Sequence, residues 1–319
     1  MNRERLPADI VLAANRIGPH VRETPLDYSP YFSDLTGANV YFKLENLQHT
    51  CSFKLRGAFN KLLSLGPEER KAGCVTASSG NHGAAIAFAM QKLGVTGVIF
   101  VPVQTSPTKV DAIKRAGGDV RFFGTDGLDT ETHAREYAAD NGMVYLSPYN
   151  DEQVIAGQGT CGVEIARQLT PVDAVFIAVG GGGLMSGVAV FLKSVNPSLE
   201  VVSCQPAASA VMTESVKAGE ILDLPSDPTL SDGTAGGIEA EAMTFDICRD
   251  VVDRYVVVDE DEIAAAMRAF IDSHHMLLEG AAGVAIAGFQ QIADEYQGKY
   301  VVIIVCGGNI SRETLKTVI

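Results

Sequence analysis

Short β-rich runs and stretches of helical spacing alternate along most of this 319-residue chain, and the alternation restricts the folds open to it. Apolar runs at 74–77, 98–101, 120–123 and 144–146 are separated by helical patterns at 82–93, 107–116 and 128–141. A second series has strands at 174–179, 201–204, 255–258 and 300–305. Helical stretches lie at 184–195 and 208–218, with two more between 259 and 293. Ahead of both come a helix at 7–17, with Asp9 in its first turn, and a short strand at 40–44. Strand, helix, strand at this pitch requires parallel sheets with right-handed crossovers. Two such sheets predict a cleft between two lobes, with ligands collecting beyond the carboxyl ends of the strands. Residues 222–238, rich in Pro, Gly and Asp, read as one long loop of a type that is often functional. There is no internal repeat or low-complexity segment, and no regulatory domain is expected after Asn309.

Three chemically loaded loops fall at predicted strand ends. Gly180-Gly181-Gly182-Gly183-Leu184 joins a strand to a helix N-terminus. Consecutive glycines let backbone amides converge on one small anion, and the helix dipole adds to the attraction. Four in a row cost more chain entropy than a tight turn needs, which favours a phosphate cradle. A dinucleotide fold would require G-x-G-x-x-G here, with an acid at the end of the next strand, where Gln205 stands instead. The literal match Gly157-Gln158-Gly159-Thr160-Cys161-Gly162 follows no convincing strand and is read as a decoy. No G-x-x-x-x-G-K-[ST] occurs, so a single monophosphate is expected rather than NAD or ATP. The other two loops are Ser78-Ser79-Gly80-Asn81-His82-Gly83 and Cys306-Gly307-Gly308-Asn309.

Cys51-Ser52-Phe53-Lys54-Leu55-Arg56-Gly57-Ala58 puts a lysine at the mouth of a helix running to Leu65. A lone helix lysine is ordinarily solvated. Desolvation lowers its pKa and lets the amine condense with a carbonyl, that of pyridoxal phosphate included. One monophosphate cradle and one separate lysine fit that cofactor better than a nucleotide.

Composition narrows the partners. Lys and Arg number 25 against 39 Asp and Glu, a formal charge of −14 that repels nucleic acid and anionic lipid. No apolar run spans a bilayer and Met1-Asn2-Arg3-Glu4-Arg5 lacks a signal-peptide core, so a cytoplasmic chain with no membrane partner is expected. The six cysteines are scattered without a C-x-x-C pair, which supports neither zinc nor a disulfide framework. Most are read as small buried hydrophobes, and only Cys306 as functional.

Together with Val154-Ile155-Ala156-Gly157-Gln158-Gly159-Thr160 and Glu279-Gly280-Ala281-Ala282-Gly283, these motifs resemble the threonine dehydratase and serine racemase family of pyridoxal-phosphate enzymes. The resemblance covers nearly the whole chain in the family's order. It implies a two-lobed α/β fold of fold-type II (tryptophan-synthase-β-like), each lobe a mostly parallel twisted sheet flanked by helices. Residues 1–72 and 151–319 would form the large cofactor-binding domain and 73–150 a small mobile one. It further implies that Lys54 holds the cofactor covalently and then removes the substrate α-proton. Phe53 would flank the ring and Asn81 would bond its 3′-oxygen. Gly180, Gly181, Gly182, Gly183 and Leu184 would hold the phosphate. Ser78, Ser79, Gly80, Asn81 and His82 would receive the substrate carboxylate. Cys306 would face the pyridine nitrogen where many relatives carry serine, a weak neutral partner that suits loss of a β-hydroxyl. Glu279 matches a family glutamate near the cofactor and would assist proton transfer. A homodimer is implied as well.

Departures bear on substrate. The acidic ligands of a family cation site align with Gln205 and Val211, so no metal is expected there. Ser79 stands where the racemase branch uses a serine as the base opposite the lysine, whereas Thr130 stands where mammalian serine racemase has an arginine. The loop Ser231-Asp232-Gly233-Thr234-Ala235-Gly236-Gly237 is stripped of side chains. The leading expectation is β-elimination from an L-3-hydroxy amino acid of the threonine/serine type, giving a 2-oxo acid and ammonia. Racemisation by Lys54 and Ser79 is the alternative, as is a bulkier substrate such as a phenylserine. A silent cofactor-binding homologue and a nicotinamide oxidoreductase are the more distant rivals.

Overall fold

The computed structural model describes residues 3–319. Among these residues ten strands fall into two sheets. The first two, β1 (Leu26–Tyr28) and β2 (Asn39–Leu44), precede the four of the smaller sheet: β3 (Cys74–Ala77), β4 (Gly97–Val101), β5 (Asp119–Phe122) and β6 (Val144–Tyr145). The chain then returns with β7 (Ala174–Ala178), β8 (Glu200–Pro206), β9 (Arg254–Val258) and β10 (Tyr300–Val305). The larger sheet runs β1-β2-β10-β7-β8-β9 and the smaller β5-β4-β3-β6. All pairs are parallel except β1 against β2. β7 and all of β10 after Tyr300 are buried, the unbroken apolar reading of strands covered on both faces.

The expected strands and helices of both series are present, with ends shifted by a residue or two. The expected helix at 208–218 is broken into a 3-10 turn, Ala207–Ser209, and a helix, Val211–Ala218. Gln205 accounts for the break. Its carboxamide oxygen accepts from both the backbone N–H and the hydroxyl of Thr213, at 2.7 Å each, and so caps the new helix from the end of β8.

The decoy glycine motif lies inside Glu152–Gln168, at 17 residues a helix that periodicity did not reveal. Asp151 caps it, accepting from the N–H groups of Gln153 and Val154. Glycines are poor helix formers, and burial overrides that propensity here. A methyl at Gly157 would lie 2.6 Å from the Gly57 Cα, and one at Gly159 2.9 Å from the Gly187 carbonyl oxygen. The glycines let three helices touch backbone to backbone.

One of the three is Lys54–Ser64, which faces both ways. Its Leu55, Ala58, Phe59 and Leu62 join the apolar cluster of the smaller sheet, while Gly57 abuts the helix Glu152–Gln168. No helix among the described residues is long and apolar enough to cross a membrane.

Candidate active site

Insertion of β10 beside β2 builds the site. Leu44 pairs with Val305, so the segments leaving both strands run on together. The Phe53 N–H donates to the Cys306 carbonyl at 3.1 Å, Ser52 bridges Gly307, and the Gly308 N–H donates to the Cys51 carbonyl at 2.9 Å. Lys54, the first residue of its helix, is thereby fixed against the Cys306 loop. Two residues on, the buried Arg56 binds Glu45 at 2.7 Å and Glu164 at 2.6 Å, and Glu164 also takes Lys43 at 2.6 Å. Two cations and two anions close this cluster within the fold and hold the helix start in place.

The Lys54 ammonium donates to the Pro148 carbonyl at 2.8 Å and sits 5.3 Å from the centre of the Phe53 ring. Burial lowers its pKa to about 8, with the Cys306 thiol and Glu279 opposing the shift. Glu279 is buried beneath Gly307, where a methyl would come within 2.4 Å of its carboxylate. Its pKa rises to about 7, chiefly by burial, with Asp232 adding to the rise. Cys306 is buried, its sulfur 4.0 Å from Glu279, and burial pushes the thiol up, so it stays neutral. The expectation of mostly buried cysteines holds for all but the exposed Cys51.

The turn after β3 approaches from the smaller sheet. The Asn81 carboxamide N–H₂ donates to both Glu279 oxygens at 2.9 Å, and its oxygen accepts from Asn309 at 2.7 Å. These bonds cross from one sheet to the other. Ser78 accepts the Gly80 N–H at 3.2 Å, and Ser79 is partly exposed beside it. His82 is buried, its Nε2 donating to the Leu146 carbonyl at 3.1 Å, while its Nδ1 has no partner among the described residues. Burial, with the Lys54 charge, lowers its pKa to about 3, so the ring is neutral and brings no cation to a carboxylate.

The glycine loop follows β7, and its packing explains each glycine. A methyl at Gly180 would meet the Thr234 backbone at 2.9 Å, and one at Gly181 the Tyr149 ring at 2.4 Å. One at Gly183 would press on Tyr149 at 3.0 Å, and Gly182 has φ +84°. Close approach therefore demands these residues independently of any ligand. The N–H groups of Gly181, Gly182, Gly183 and Leu184 have no acceptor among the described residues, and Leu184 itself is buried in the first helical turn. Free amides at a helix start and a desolvated amine, joined by the segment Pro148-Tyr149 that touches both, are what a phosphorylated aldehyde requires.

Sequence reasoning missed the loop 147–150, although it follows β6 and so lies at a strand's carboxyl end. Pro148 receives Lys54, Tyr149 backs the glycines, and Asn150 holds Glu239 at 2.9 Å. It also missed Asn309 as the partner of Asn81. Thr130 does not stand free, since its hydroxyl donates to the Phe123 and Asp126 carbonyls.

Over residues 17–307 the sequence matches the family described as pyridoxal-phosphate dependent enzymes. It is 40% identical over 298 residues to "Threonine dehydratase 2 biosynthetic, chloroplastic" of Solanum lycopersicum, covering 93% of this chain and 50% of that protein. The chain thus spans about half the length of that relative. To the catabolic L-threonine dehydratase of Escherichia coli it is 38% identical over 304 residues, 95% of this chain and 92% of the other. A solved serine racemase from maize superposes with a TM-score of 0.92 at 32% identity, covering 97% and 95% of the two chains. The two-sheet architecture, the order of the motifs and these matches agree: the chain belongs to the family of pyridoxal-phosphate dependent enzymes.

Proposed function

We propose that the protein is an ammonia-lyase that removes the α-proton and β-hydroxyl of an L-3-hydroxy amino acid of the threonine/serine type, and releases a 2-oxo acid and ammonia. The observation that carries this reading is the Lys54 amine, with a pKa near 8, linked through Pro148-Tyr149 to a helix start where the amides of Gly181, Gly182, Gly183 and Leu184 stand free. The names of the tomato and E. coli relatives support the substrate class. Gly180 to Leu184 would hold the cofactor phosphate, Lys54 its aldehyde carbon, and Phe53 and Cys306 its ring. When bound, pyridoxal phosphate supplies an electron sink for the pair left at Cα.

This chain's residues do the rest. An amine of pKa about 8 is substantially neutral at slightly alkaline pH, so Lys54 serves as the base at Cα. The neutral Cys306 would bring no formal counter-charge to the ring nitrogen of a bound cofactor, which would favour expulsion of the β-hydroxyl as the proton departs. Glu279, pKa about 7, exchanges a proton near neutrality, and Asn81 and Asn309 hold it in place. The hydroxyls of Ser78 and Ser79 and the N–H groups of Ser79, Asn81 and His82 would receive the substrate carboxylate, since the Ser78 and Gly80 N–H groups are already bonded within the fold. His82 supports that turn from below through Leu146. Water then releases ammonia from C2 after product leaves the cleft.

Incubation with L-threonine, L-serine and larger 3-hydroxy amino acids, followed by oxo-acid assay, tests the reading. Absence of product from every member of the panel would sink it. The second reading, racemisation with Ser79 opposite Lys54, is favoured by the partly exposed Ser79 in the turn and by the maize racemase's likeness. It requires D-serine to accumulate from L-serine faster than pyruvate, which chiral chromatography measures. Residues 73–150, which contain all of β3–β6, are taken as the small domain that shifts to close the cleft over 1–72 and 151–319. The working form is taken as a cytoplasmic homodimer, and light scattering at a single-chain mass would refute the dimer.

A further inference from the structure

Residues 230–242 form a flap against the glycine loop. Its Leu230 carbonyl lies where a methyl on Gly280 would be, at 2.0 Å, and its Thr234 backbone covers Gly180. Glu239 is the flap's most heavily bonded point. Its carboxylate takes Arg135 at 3.0 Å, the Asn150 amide at 2.9 Å and the Ser147 hydroxyl at 3.4 Å. Its own N–H donates to the Tyr149 hydroxyl at 2.8 Å. The ring of that same tyrosine lies against Gly181, its Cβ and backbone lie against Gly183, and its neighbour Pro148 accepts Lys54. One side chain therefore touches the flap with its hydroxyl and the phosphate cradle with its ring.

Resting on the cofactor assignment above, we propose that Tyr149 is a positioning residue that couples the two, so that seating a phosphate on Gly180–Gly183 and closing the flap at Glu239 favour one another. The ring supports the glycine loop in the arrangement that presents its free amides. A phosphate bound there holds the loop, the loop holds the ring, and the hydroxyl is then fixed where the Glu239 N–H must dock. Linkage makes the effect reciprocal: a closed flap tightens cofactor binding by the same factor by which cofactor favours the closed flap. The Arg135–Glu239 pair also closes the flap but bypasses Tyr149, which provides the control.

Amide hydrogen exchange of peptides covering 230–242, with and without saturating pyridoxal phosphate, reads flap closure. Absorbance titration reads cofactor affinity. Tyr149→Phe keeps the ring and removes one hydrogen bond, so flap exchange should quicken about fivefold. Cofactor-induced slowing should fall by the same factor, and so should cofactor affinity. Tyr149→Ala, which removes the brace too, should weaken the cofactor further. Arg135→Gln should quicken exchange while leaving the cofactor-induced slowing intact. The proposal is overturned if the wild-type flap does not slow on cofactor binding, if Tyr149→Phe responds as wild type does, or if Arg135→Gln and Tyr149→Phe behave alike. A protein that binds cofactor and slows its flap yet yields no oxo acid would refute the lyase reading alone.

Discussion

Replacing Arg56 by methionine should cost more than any other single change near Lys54. The guanidinium makes four short bonds: Nε and one terminal nitrogen to Glu45 at 2.8 and 2.7 Å, and the two terminal nitrogens to Glu164 at 2.6 and 2.8 Å. Lys43 remains for Glu164 at 2.6 Å, whereas Glu45 keeps only the Thr24 hydroxyl at 2.5 Å. An unpaired carboxylate is thus left where no water reaches it. Removing one partner of a buried pair costs about 3–5 kcal/mol. With about 2.1 cal/mol/K of unfolding entropy per residue, that is a fall of roughly 4–8 °C in Tm for a chain of this length unfolding as one unit. The pH dependence gives the sharper test. Burial alone would raise the Glu45 pKa, and Arg56, aided by Lys43, overrides it and holds the carboxyl below the usual range. In the wild type its contribution is present above the unfolded pKa and is lost as pH falls through the depressed folded value. Without Arg56 the folded pKa lies above the unfolded one, so the penalty is largest at neutral pH and shrinks on acidification. Differential scanning fluorimetry of wild type and Arg56→Met between pH 5 and 8 should show the gap narrowing toward pH 5. Arg56→Met with Glu45→Gln should recover part of the loss. A gap below about 1 kcal/mol at neutral pH, the value of an exposed pair, or a gap that widens on acidification, would refute the argument.

Other perturbations probe the site and the core. Lys54→Ala should lower oxo-acid release by at least about 10²-fold, the usual worth of a positioned base, and should let pyridoxal phosphate wash off on gel filtration. In cofactor-free protein only the neutral amine condenses with an aldehyde, so the rate of pyridoxal phosphate capture should rise with pH and level off above about 8; stopped-flow absorbance that is flat across that range would contradict the lowered pKa. Gly159→Ala puts a methyl 2.7 Å from Ile10 and 2.9 Å from the Gly187 carbonyl. Despite better helix propensity it should destabilise by about 1–3 kcal/mol in urea melts, and no gain or loss of nucleotide binding should accompany it.

Much of this arrangement is legible along the chain. Periodicity located every strand except β1 and most helices, and the rule that ligands gather beyond strand ends singled out the loops after β3, β7 and β10. Asn81, Glu279 and Cys306 do meet Lys54's surroundings. The helix Glu152–Gln168 escaped because its five central buried positions from Gly157 to Cys161 include two glycines, and no apolar stripe marks a helix buried on nearly every side. Tyr149 escaped because its role depends on Gly181 and Glu239, 32 and 90 positions away.

The sequence alone determined the local alternation, the helix starts and the supply of an amine, a carboxamide, a carboxylate and flexible glycines. Tertiary structure decided that β10, last in the chain, enters between β2 and β7 and so lays Cys306 beside Phe53. It also decided that Arg56, Glu45, Glu164 and Lys43 neutralise one another out of water. The reason is physical: dihedral and side-chain preferences act between near neighbours, whereas strand order, desolvation and the meeting of distant charges depend on which surfaces are buried together.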